Sequence, residues 1–318
     1  MAVYLITGIA GFIGSSLARA VLAQGDRVRG VDNLSTGKRE NLTEILSRID
    51  FREGDLLNLE ALHDACRGVD YIFHEAAIPS VPKSVLDPLG SNRANVDGTV
   101  NLLVAARDAQ VKRIVYAASS SAYGDTPTLP KHEGMVPNPI SPYAVAKLTG
   151  EYYMTSFYRC YRLETVSLRY FNIFGPRQDP TSPYSGVLAK FITNMLSGEQ
   201  PTIFGDGTQS RDFTYIDNAV EANLLAMKAA ASEVAGQVFN VATGKRADLN
   251  QAFQLLKKII GYPGEVKYGP SRSGDVKHSL ADLSRSEKHL GYAPKVDFEE
   301  GLRRTVEWYR GQFKAAEA

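Results

Sequence analysis

Short hydrophobic runs rich in β-branched residues alternate with longer segments of helical periodicity over most of the chain. Between the runs, apolar residues recur at helical spacing, as Phe12, Ile13 and Leu17 do. This alternation predicts a doubly wound parallel α/β sheet with helices on both faces, whose ligands lie at the carboxyl ends of the strands. The predicted strands are Val3–Thr7, Arg27–Asp32, Asp50–Glu53, Tyr71–His74, Arg113–Ala117, Thr165–Arg169 and Gln237–Val241.

Beyond residue 172 the regular alternation gives way to loop-rich stretches such as GPRQDPTSPYSG and FGDGTQSRDF, followed by a helix near 249–261. The strand pattern at Gln237–Val241 indicates that the chain returns to the sheet before that helix. We therefore predict a larger sheet domain and a smaller, discontinuous α/β domain. The predicted ranges are 1–172 with 213–243 for the first domain, and 173–212 with 244–318 for the second.

Charge and composition exclude several classes of protein. A formal net charge of +1 over 318 residues gives no general attraction to nucleic acid or to an anionic membrane. The chain has no apolar run long enough for a transmembrane helix, and its two cysteines, Cys66 and Cys160, provide no disulfide framework. We expect a cytoplasmic protein. No metal site is expected, because Ile78 stands where an HExxH motif starting at His74 needs its second histidine, so His74 is interpreted as structural.

The first predicted strand runs into a glycine loop and then into a helix. Gly8, Gly11 and Gly14 are spaced GxxGxxG, one residue looser than the dinucleotide fingerprint GxGxxG. Gly8 allows a tight turn, Gly11 allows the backbone to approach a pyrophosphate, and Gly14 allows helix and strand to pack closely. The helix N-terminus then directs its unpaired N–H groups at the phosphates.

An acidic residue ends the second predicted strand, where a dinucleotide site requires one. The Asp32 carboxylate can accept hydrogen bonds from both ribose hydroxyls and repels a 2′-phosphate, which favours NAD over NADP. The alternative is that Asp32 caps a turn. Asp55, which follows the third strand, is placed to hold the adenine amino group, and the small Ala76 and Ala77 after the fourth strand leave room for the cofactor.

The octapeptide SPYAVAKL places Tyr143 and Lys147 one helical turn apart, on the same face of a predicted helix. Taken alone, the pair is most simply a phenol packed beside a solvated ammonium. Five motifs together give it another meaning, because they resemble the extended short-chain dehydrogenases/reductases and, among these, the nucleotide-sugar epimerases. The motifs are GxxGxxG, Asp32-Asn33, the run YAASSSAYG at 116–124, YAVAK at 143–147 and RYFN at 169–172.

The resemblance extends from Val3 to about Tyr309 and implies a Rossmann fold with NAD bound by the first domain and a UDP-sugar by the second. In this family the tyrosine is the general base, so Tyr143 would remove a sugar hydroxyl proton while hydride passes to the nicotinamide. Lowering a phenol pKa from about 10 to about 7 requires roughly 4 kcal/mol. An ammonium about 4 Å away supplies about that amount at an effective dielectric constant near 20. Ser119 takes the position of the catalytic serine.

The same resemblance implies the remaining contacts. The expected cofactor-binding residues are Gly8, Gly11, Phe12, Ile13, Gly14, Asp32, Asn33, Gly37, Asp55, Leu56, Ala76, Ala77, Asn95, Tyr143, Lys147 and Tyr170. The expected substrate-binding residues are Ser80, Ser119, Ser120, Ser121, Asn172, Val187, Ile203, Phe204, Gly205, Arg211, Arg272, Asp275 and Ser279. For the two arginines, ordinary surface salt bridges are the alternative.

Three positions bear on the reaction. Related sugar dehydratases carry carboxylates where this chain has Ser120 and Ser121, so dehydration is not expected. Asp179 stands where relatives acting on UDP-glucuronate carry arginine, and its charge should repel a uronate. Ser279 aligns with a pocket-wall residue that is bulky where acetamido sugars are excluded, and its small size favours a broad or N-acetylglucosamine-preferring enzyme.

We therefore expect a UDP-hexose/UDP-N-acetylhexosamine 4-epimerase with bound NAD. UDP-glucuronate 4-epimerase, a 4-keto nucleotide-sugar reductase and a non-catalytic NAD sensor are the alternatives. Helices near 92–108 and 143–160 lie where relatives form a dimer interface, so a homodimer is expected. Four aromatic residues of the second helix either supply that interface or belong to the core: Tyr152, Tyr153, Phe157 and Tyr158.

Overall fold

A seven-stranded parallel sheet forms the centre of the computed structural model, which describes residues 1–180, 186–270 and 276–317. Its strands are β1 (Val3–Thr7), β2 (Arg27–Asp32), β3 (Asp50–Glu53), β4 (Tyr71–His74), β5 (Arg113–Ser119), β6 (Glu164–Tyr170) and β7 (Gln237–Val241). Their spatial order is β7-β6-β5-β4-β1-β2-β3, and every neighbouring pair is parallel. The predicted doubly wound sheet is confirmed, and only β5 and β6 extend beyond their predicted limits.

Twelve α-helices surround the sheet in the described part of the chain. They are α1 (Phe12–Ala23), α2 (Leu59–Cys66), α3 (Val81–Leu86), α4 (Pro88–Asn92), α5 (Gly98–Asp108), α6 (Pro142–Tyr161), α7 (Val187–Leu196), α8 (Ile216–Lys228), α9 (Ala231–Val234), α10 (Leu249–Ile260), α11 (Ser284–Leu290) and α12 (Phe298–Glu317). The helix predicted over 92–108 is interrupted, because the wide-turned π-helical segment Arg93–Asp97 joins α4 to α5. None of the helices in the described ranges is long and apolar enough to cross a membrane.

The alternation of side chains along the strands builds a hydrophobic layer on each face of the sheet. Tyr4 and Ile6 of β1 join one cluster with α1 and α8, whereas Leu5 joins the other with α2, α5 and α6. A third cluster holds α7, α10 and α12 together with buried aromatic residues such as Phe213. The sheet is therefore the middle of three layers, and its strand ends remain the place where loops meet.

The region beyond β6 also contains very short paired strands. Three two-stranded sheets form there: Ile173–Phe174 with Thr214–Tyr215, Ser210–Arg211 with Ala247–Asp248, and Thr202–Phe204 with Lys267–Gly269. The division into two domains stays a prediction. The packing differs from the predicted domain limits in one place. Ala281, Leu283 and Tyr292 fall in the predicted second domain but join the hydrophobic cluster of α1 and α8 rather than the third cluster.

Candidate active site

The glycine loop lies at the point where the strand order reverses, between β1 and β4. Gly8 has φ +69°, and a Cβ there would lie 2.7 Å from the backbone nitrogen of Ala76. A Cβ on Gly14 would lie 2.2 Å from the carbonyl oxygen of Gly8. Helix α1 begins after Gly11 with no side-chain cap and no acidic residue in its first turn. Its N-terminus therefore offers backbone N–H groups and partial positive charge to a phosphate, as the glycine spacing predicts.

A cleft of about 1020 Å³ opens beside this loop. Twelve of the predicted cofactor-binding residues and one predicted substrate-binding residue line it: Gly8, Gly11, Phe12, Ile13, Gly14, Asp32, Asn33, Gly37, Asp55, Leu56, Ala76 and Ala77, with Ser80. The close-packed glycine turn, the uncapped helix and the small alanines make a cradle suited to a dinucleotide. The residues present therefore fit the predicted cofactor.

Asp32 combines the two roles that the sequence left open. One carboxylate oxygen accepts from the backbone N–H of Ala10 at 2.9 Å, and the other accepts from that of Leu34 at 2.8 Å. Burial raises the pKa of Asp32, and these two N–H groups act in the opposite direction. Each carboxylate oxygen has a further lone pair. Asp32 thus braces the turn and still presents a carboxylate to the cleft.

Ser119, Ser121 and Tyr143 lie together at the carboxyl end of β5. The Ser121 hydroxyl donates to Oγ of Ser119 at 2.9 Å, and Ser119 lies close enough to the Tyr143 phenol to lower its pKa. Ser141 caps α6 by accepting from the backbone N–H of Ala144, which fixes the helix start beside these serines. The structure therefore brings the predicted serine and tyrosine together. Ser120 begins the 3₁₀ turn Ser120–Tyr123 immediately after β5.

Lys147 is buried one turn further along α6. Its Nζ donates to the carbonyl of Ala117 at 2.8 Å and lies 4.9 Å from the centre of the Tyr116 ring. Burial lowers the pKa of Lys147 to about 8, while the charges of Glu75 and Glu151 raise it. None of Ser119, Tyr143 and Lys147 is among the residues lining the cleft itself.

The expected lowering of the Tyr143 pKa is not found in the protein alone. Burial raises the pKa of this phenol, Ser119 opposes the rise by hydrogen bonding, and Lys147 is not among the groups that shift it. The Lys147 ammonium donates instead to the carbonyl of Ala117. Helical spacing placed the two residues on one face correctly, but it could not show where the ammonium points.

Glu75 and Tyr170 form a second polar group in the wall of the cleft. The Tyr170 hydroxyl donates to Oε1 of Glu75 at 2.9 Å and accepts from Nδ2 of Asn223 at 2.7 Å. His74, next to Glu75, is fully buried between the hydroxyls of Thr7 and Thr99, and burial lowers its pKa to about 3. The structural interpretation of His74 is confirmed, whereas Glu75 was not predicted to have a role.

Asn95 is placed differently from the prediction. It does not line the cleft, because its side-chain amide is occupied by the backbone of Ile78, whose N–H it accepts at 2.8 Å and whose carbonyl it donates to at 3.3 Å. The wide turn Arg93–Asp97 directs the buried side chain there. Asn95 therefore shapes the cleft wall, and its contact with a cofactor stays a prediction.

Two of the predicted substrate residues, Asn172 and Ser279, are in contact beyond the end of β6. Nδ2 of Asn172 donates to Oγ of Ser279 at 3.2 Å and to the carbonyl of Asp212 at 3.1 Å. Asp212 is fully buried and accepts from the backbone N–H groups of Thr243, Gly244 and Ala281, which ties the loops together. Asn172 and Ser279, far apart in sequence, are thus brought into contact.

The remaining predicted substrate residues do not all present side chains to a ligand. Ile203 is fully buried in the third cluster, so any contact it makes with a ligand falls to its backbone. The Gly205 N–H is used by the carbonyl of Gly269, and Arg211 donates to the carbonyl of Lys277. Phe204 ends the strand that Ile203 occupies, and Val187 begins α7. Arg272 and Asp275 lie outside the described residues.

Arg177 and Asp179 of the GPRQDP strip line the cleft, and the sequence did not indicate the contacts that they make there. Arg177 donates to Oγ of Ser16 at 3.1 Å, and its buried Nε has no partner among the described residues. Asp179 forms an ion pair with Lys38 at 3.0 Å. The carboxylate of Asp179 is therefore neutralised on the cofactor side, and the argument that it repels a uronate substrate loses its basis.

The fold and the cleft together define a dinucleotide-binding protein of the doubly wound α/β class, with a tyrosine, a lysine and a serine beside the cofactor site. The chain belongs to the NAD dependent epimerase/dehydratase family, whose model matches residues 4–242.

Relatives match this chain over almost its whole length. The UDP-glucose 4-epimerase of Mycolicibacterium smegmatis is 38% identical over 312 residues, which cover 97% of this chain and 98% of that protein. The structure of UDP-glucose 4-epimerase from Thermotoga maritima with UDP-glucose is 41% identical, with a TM-score of 0.93 and coverage of 98% and 99%. The UDP-N-acetylglucosamine 4-epimerase from Methanobrevibacter ruminantium, in complex with UDP-N-acetylmuramic acid, is also 41% identical, with a TM-score of 0.92 and the same coverage.

Proposed function

We propose that the protein is an NAD-dependent UDP-sugar 4-epimerase, which inverts C4 of the sugar through a transient 4-keto intermediate. The observation that carries the proposal is the grouping of Ser121, Ser119 and Tyr143, with Lys147 one turn away, at the strand ends beside a dinucleotide cleft. The full-length similarity to proteins named UDP-glucose and UDP-N-acetylglucosamine 4-epimerase supports it.

The chain's own residues account for the proton chemistry. NAD, when bound, supplies reversible hydride acceptance at C4. The Tyr143 phenolate accepts the C4 hydroxyl proton, and Ser119 orients that hydroxyl while Ser121 orients Ser119. The keto sugar then presents its other face, and Tyr143 returns the same proton to the oxygen. No net proton or redox equivalent is consumed.

The other assignments follow from this proposal. Gly11, Gly14, Asp32 and their neighbours along the cleft bind NAD, whereas Asn172 and Ser279 face the sugar and its phosphate. The small Ser279 side chain supports acceptance of both UDP-glucose and UDP-N-acetylglucosamine. With Asp179 paired to Lys38, UDP-glucuronate becomes a substrate to be tested rather than the excluded one. The ranges 173–212 and 244–318 remain the proposed nucleotide-sugar domain.

The experiment is incubation of the purified protein with each UDP-sugar and no added cofactor. UDP-glucose, UDP-N-acetylglucosamine and UDP-glucuronate are tested separately, and the C4 epimers are identified by proton NMR. We expect epimers with the wild-type protein and none with the Tyr143→Phe variant. A product formed only in proportion to added NADH would identify a 4-keto-sugar reductase instead. Full retention of function by Tyr143→Phe would indicate an NAD sensor.

We also propose a homodimer built on α6 and the neighbouring helices. Tyr152 of α6 is 60% exposed, and Leu86 and Leu89 of α3 and α4 are 78% and 77% exposed. Phe157, in contrast, is buried in the second cluster, so for this residue the core alternative is the right one. Light scattering should give twice the chain mass for the wild type and the monomer mass for Leu89→Glu. A monomeric wild type would contradict the proposal.

A further inference from the structure

Glu75 is a carboxylate in the wall of the cleft that the proposed chemistry does not use. It directly follows β4 and lines the cofactor cleft. Because the Tyr170 hydroxyl accepts from Asn223 at 2.7 Å, its own proton points to Oε1 of Glu75, 2.9 Å away. The network thus gives Glu75 a hydrogen-bond donor, which favours the ionised carboxylate and opposes the rise in its pKa caused by burial.

The register of the sheet places Glu75 beside Lys147. His74 of β4 is paired with Tyr116 of β5. Glu75 and Ala117, the residues that follow them, therefore lie side by side. The carbonyl of Ala117 is the group that holds the Lys147 ammonium at 2.8 Å. Ser119 is paired with Tyr170 on the following strand. Three adjacent strand ends therefore bring the carboxylate, the ammonium and the catalytic serine to one edge.

Other charged and titratable groups around Lys147 do not replace Glu75. Glu151 accepts hydrogen bonds from Nε and Nη2 of Arg169, at 2.9 and 2.7 Å, so its negative charge is already paired with the guanidinium. His74 is neutral at working pH, because burial lowers its pKa to about 3. The Tyr116 phenol is buried, which raises its pKa and keeps it neutral.

Burial works against the charge of Lys147. It lowers the pKa of the ammonium to about 8, and Glu75 and Glu151 are the charges that oppose this shift. Tyr143, the remaining neighbour on α6, has a pKa raised by its own burial. With Glu151 engaged by Arg169, the carboxylate that can still compensate the ammonium is Glu75.

We propose that Glu75 is a positioning residue whose carboxylate keeps Lys147 protonated, so that Lys147 can hold Tyr143 in its proton-accepting form. The inference rests on the proposed function for its second half, because the ammonium matters only if Tyr143 is the base. Its first half, the coupling of the two charges, stands on this chain's own geometry. A unit charge several ångströms away in a partly buried site shifts a pKa by about one unit.

The test titrates Lys147 directly. The full-length protein is labelled with ¹³C at lysine Cε, and the Lys147 resonance is assigned by its loss in Lys147→Met. In Glu75→Gln, which keeps the shape and the acceptor oxygen, we expect the Lys147 pKa to fall by about one unit. Glu133→Gln is the matched control, because Glu133 is also a partly buried carboxylate of raised pKa, and it should leave the Lys147 pKa unchanged. An unchanged Lys147 pKa in Glu75→Gln would overturn the proposal.

Two further measurements keep the proposal testable if Glu75→Gln folds poorly. In the wild type, the Lys147 resonance should show a second inflection near pH 7, where Glu75 titrates, since burial raises the Glu75 pKa to about 7. A single inflection would contradict the coupling. In Tyr170→Phe the hydrogen bond that lowers the Glu75 pKa is lost, so the inflection from Glu75 should move to higher pH. An inflection that stays near pH 7 would contradict its assignment to Glu75.

Activity is measured separately. In Glu75→Gln the high-pH limb of the kcat profile should move to lower pH by the same amount as the Lys147 pKa. If Glu75→Gln shifts the Lys147 pKa but the wild-type protein forms no C4 epimer, the charge coupling is supported and the proposed function is refuted. If the wild-type protein forms the epimer but Glu75→Gln leaves the Lys147 pKa unchanged, the proposed function is supported and the charge coupling is refuted.

Discussion

Replacement of Lys147 by methionine would remove one buried ammonium while keeping an unbranched side chain of similar length. A phenol must lose about 4 kcal/mol of its preference for the protonated state to act as a base near pH 7. Burial of Tyr143 adds to that requirement rather than reducing it. An ammonium within about 4 Å of the phenolate would supply about 4 kcal/mol at an effective dielectric constant near 20, so the role assigned to Lys147 requires that its ammonium reach Tyr143 when cofactor and substrate are bound. We therefore expect kcat to fall by about 10²- to 10³-fold in Lys147→Met.

Stability should change much less than kcat in this variant. The Ala117 carbonyl loses one donor, which costs about 1–3 kcal/mol, while the penalty for burying a charge disappears. The net change in the free energy of unfolding should therefore stay within about 2 kcal/mol. Urea unfolding and the rate of UDP-sugar interconversion without added cofactor are measured on the same preparation.

The chain provides a matched control for this experiment. Lys131 is also a buried lysine, and its ammonium is held by the backbone and hydroxyl oxygens of Thr126, away from the predicted catalytic group. Lys131→Met should lower stability and leave kcat of the folded protein unchanged. If Lys147→Met kept kcat within tenfold of wild type, or if Lys131→Met lost as much, the role assigned to the ammonium would be refuted.

Three further predictions concern the cofactor site and the buried charges. Gly14→Ala places a Cβ 2.2 Å from a backbone oxygen of the glycine loop, so calorimetry should show loss of NAD binding, whereas Gly311→Ala, in open space, should bind normally. Asp32→Ser removes the carboxylate that repels a 2′-phosphate, so the affinity for NADP relative to NAD should rise by about tenfold, and an unchanged ratio would contradict the cofactor assignment. Glu151→Gln leaves the buried Arg169 without its carboxylate and should lower the free energy of unfolding by about 3–5 kcal/mol in urea titrations; an unchanged midpoint would argue against the pair.

The sheet could be predicted from the sequence because most of its strands, such as β1 and β5, bury a run of apolar residues. β1, β2, β3, β4 and β7 have the limits that the hydrophobic pattern gave. The glycine loop and Asp32 could also be predicted, since their spacing reflects the local geometry of a strand, a turn and a helix. The two-residue strands beyond β6 could not be predicted, because two residues carry no alternation of polar and apolar positions.

Contacts that depend on register between distant segments were also beyond the sequence. Nothing in the local pattern indicates that the Asn95 amide binds Ile78, that Lys38 pairs with Asp179, or that Ile203 is buried. The pKa of Tyr143 belongs to the same class, because it depends on how deeply α6 is buried and on which acceptor the neighbouring lysine finds.

The first turn of α1 begins on Gly11 without a side chain to complete it. Most helices in soluble proteins close this end with their own Ser, Thr, Asp or Asn. A phosphate of bound NAD would complete this end of the helix, so NAD should stabilise the folded protein. In a cell short of NAD, the protein should be degraded by proteases more readily, since a ligand bound only by the native state stabilises it in proportion to the logarithm of its supply.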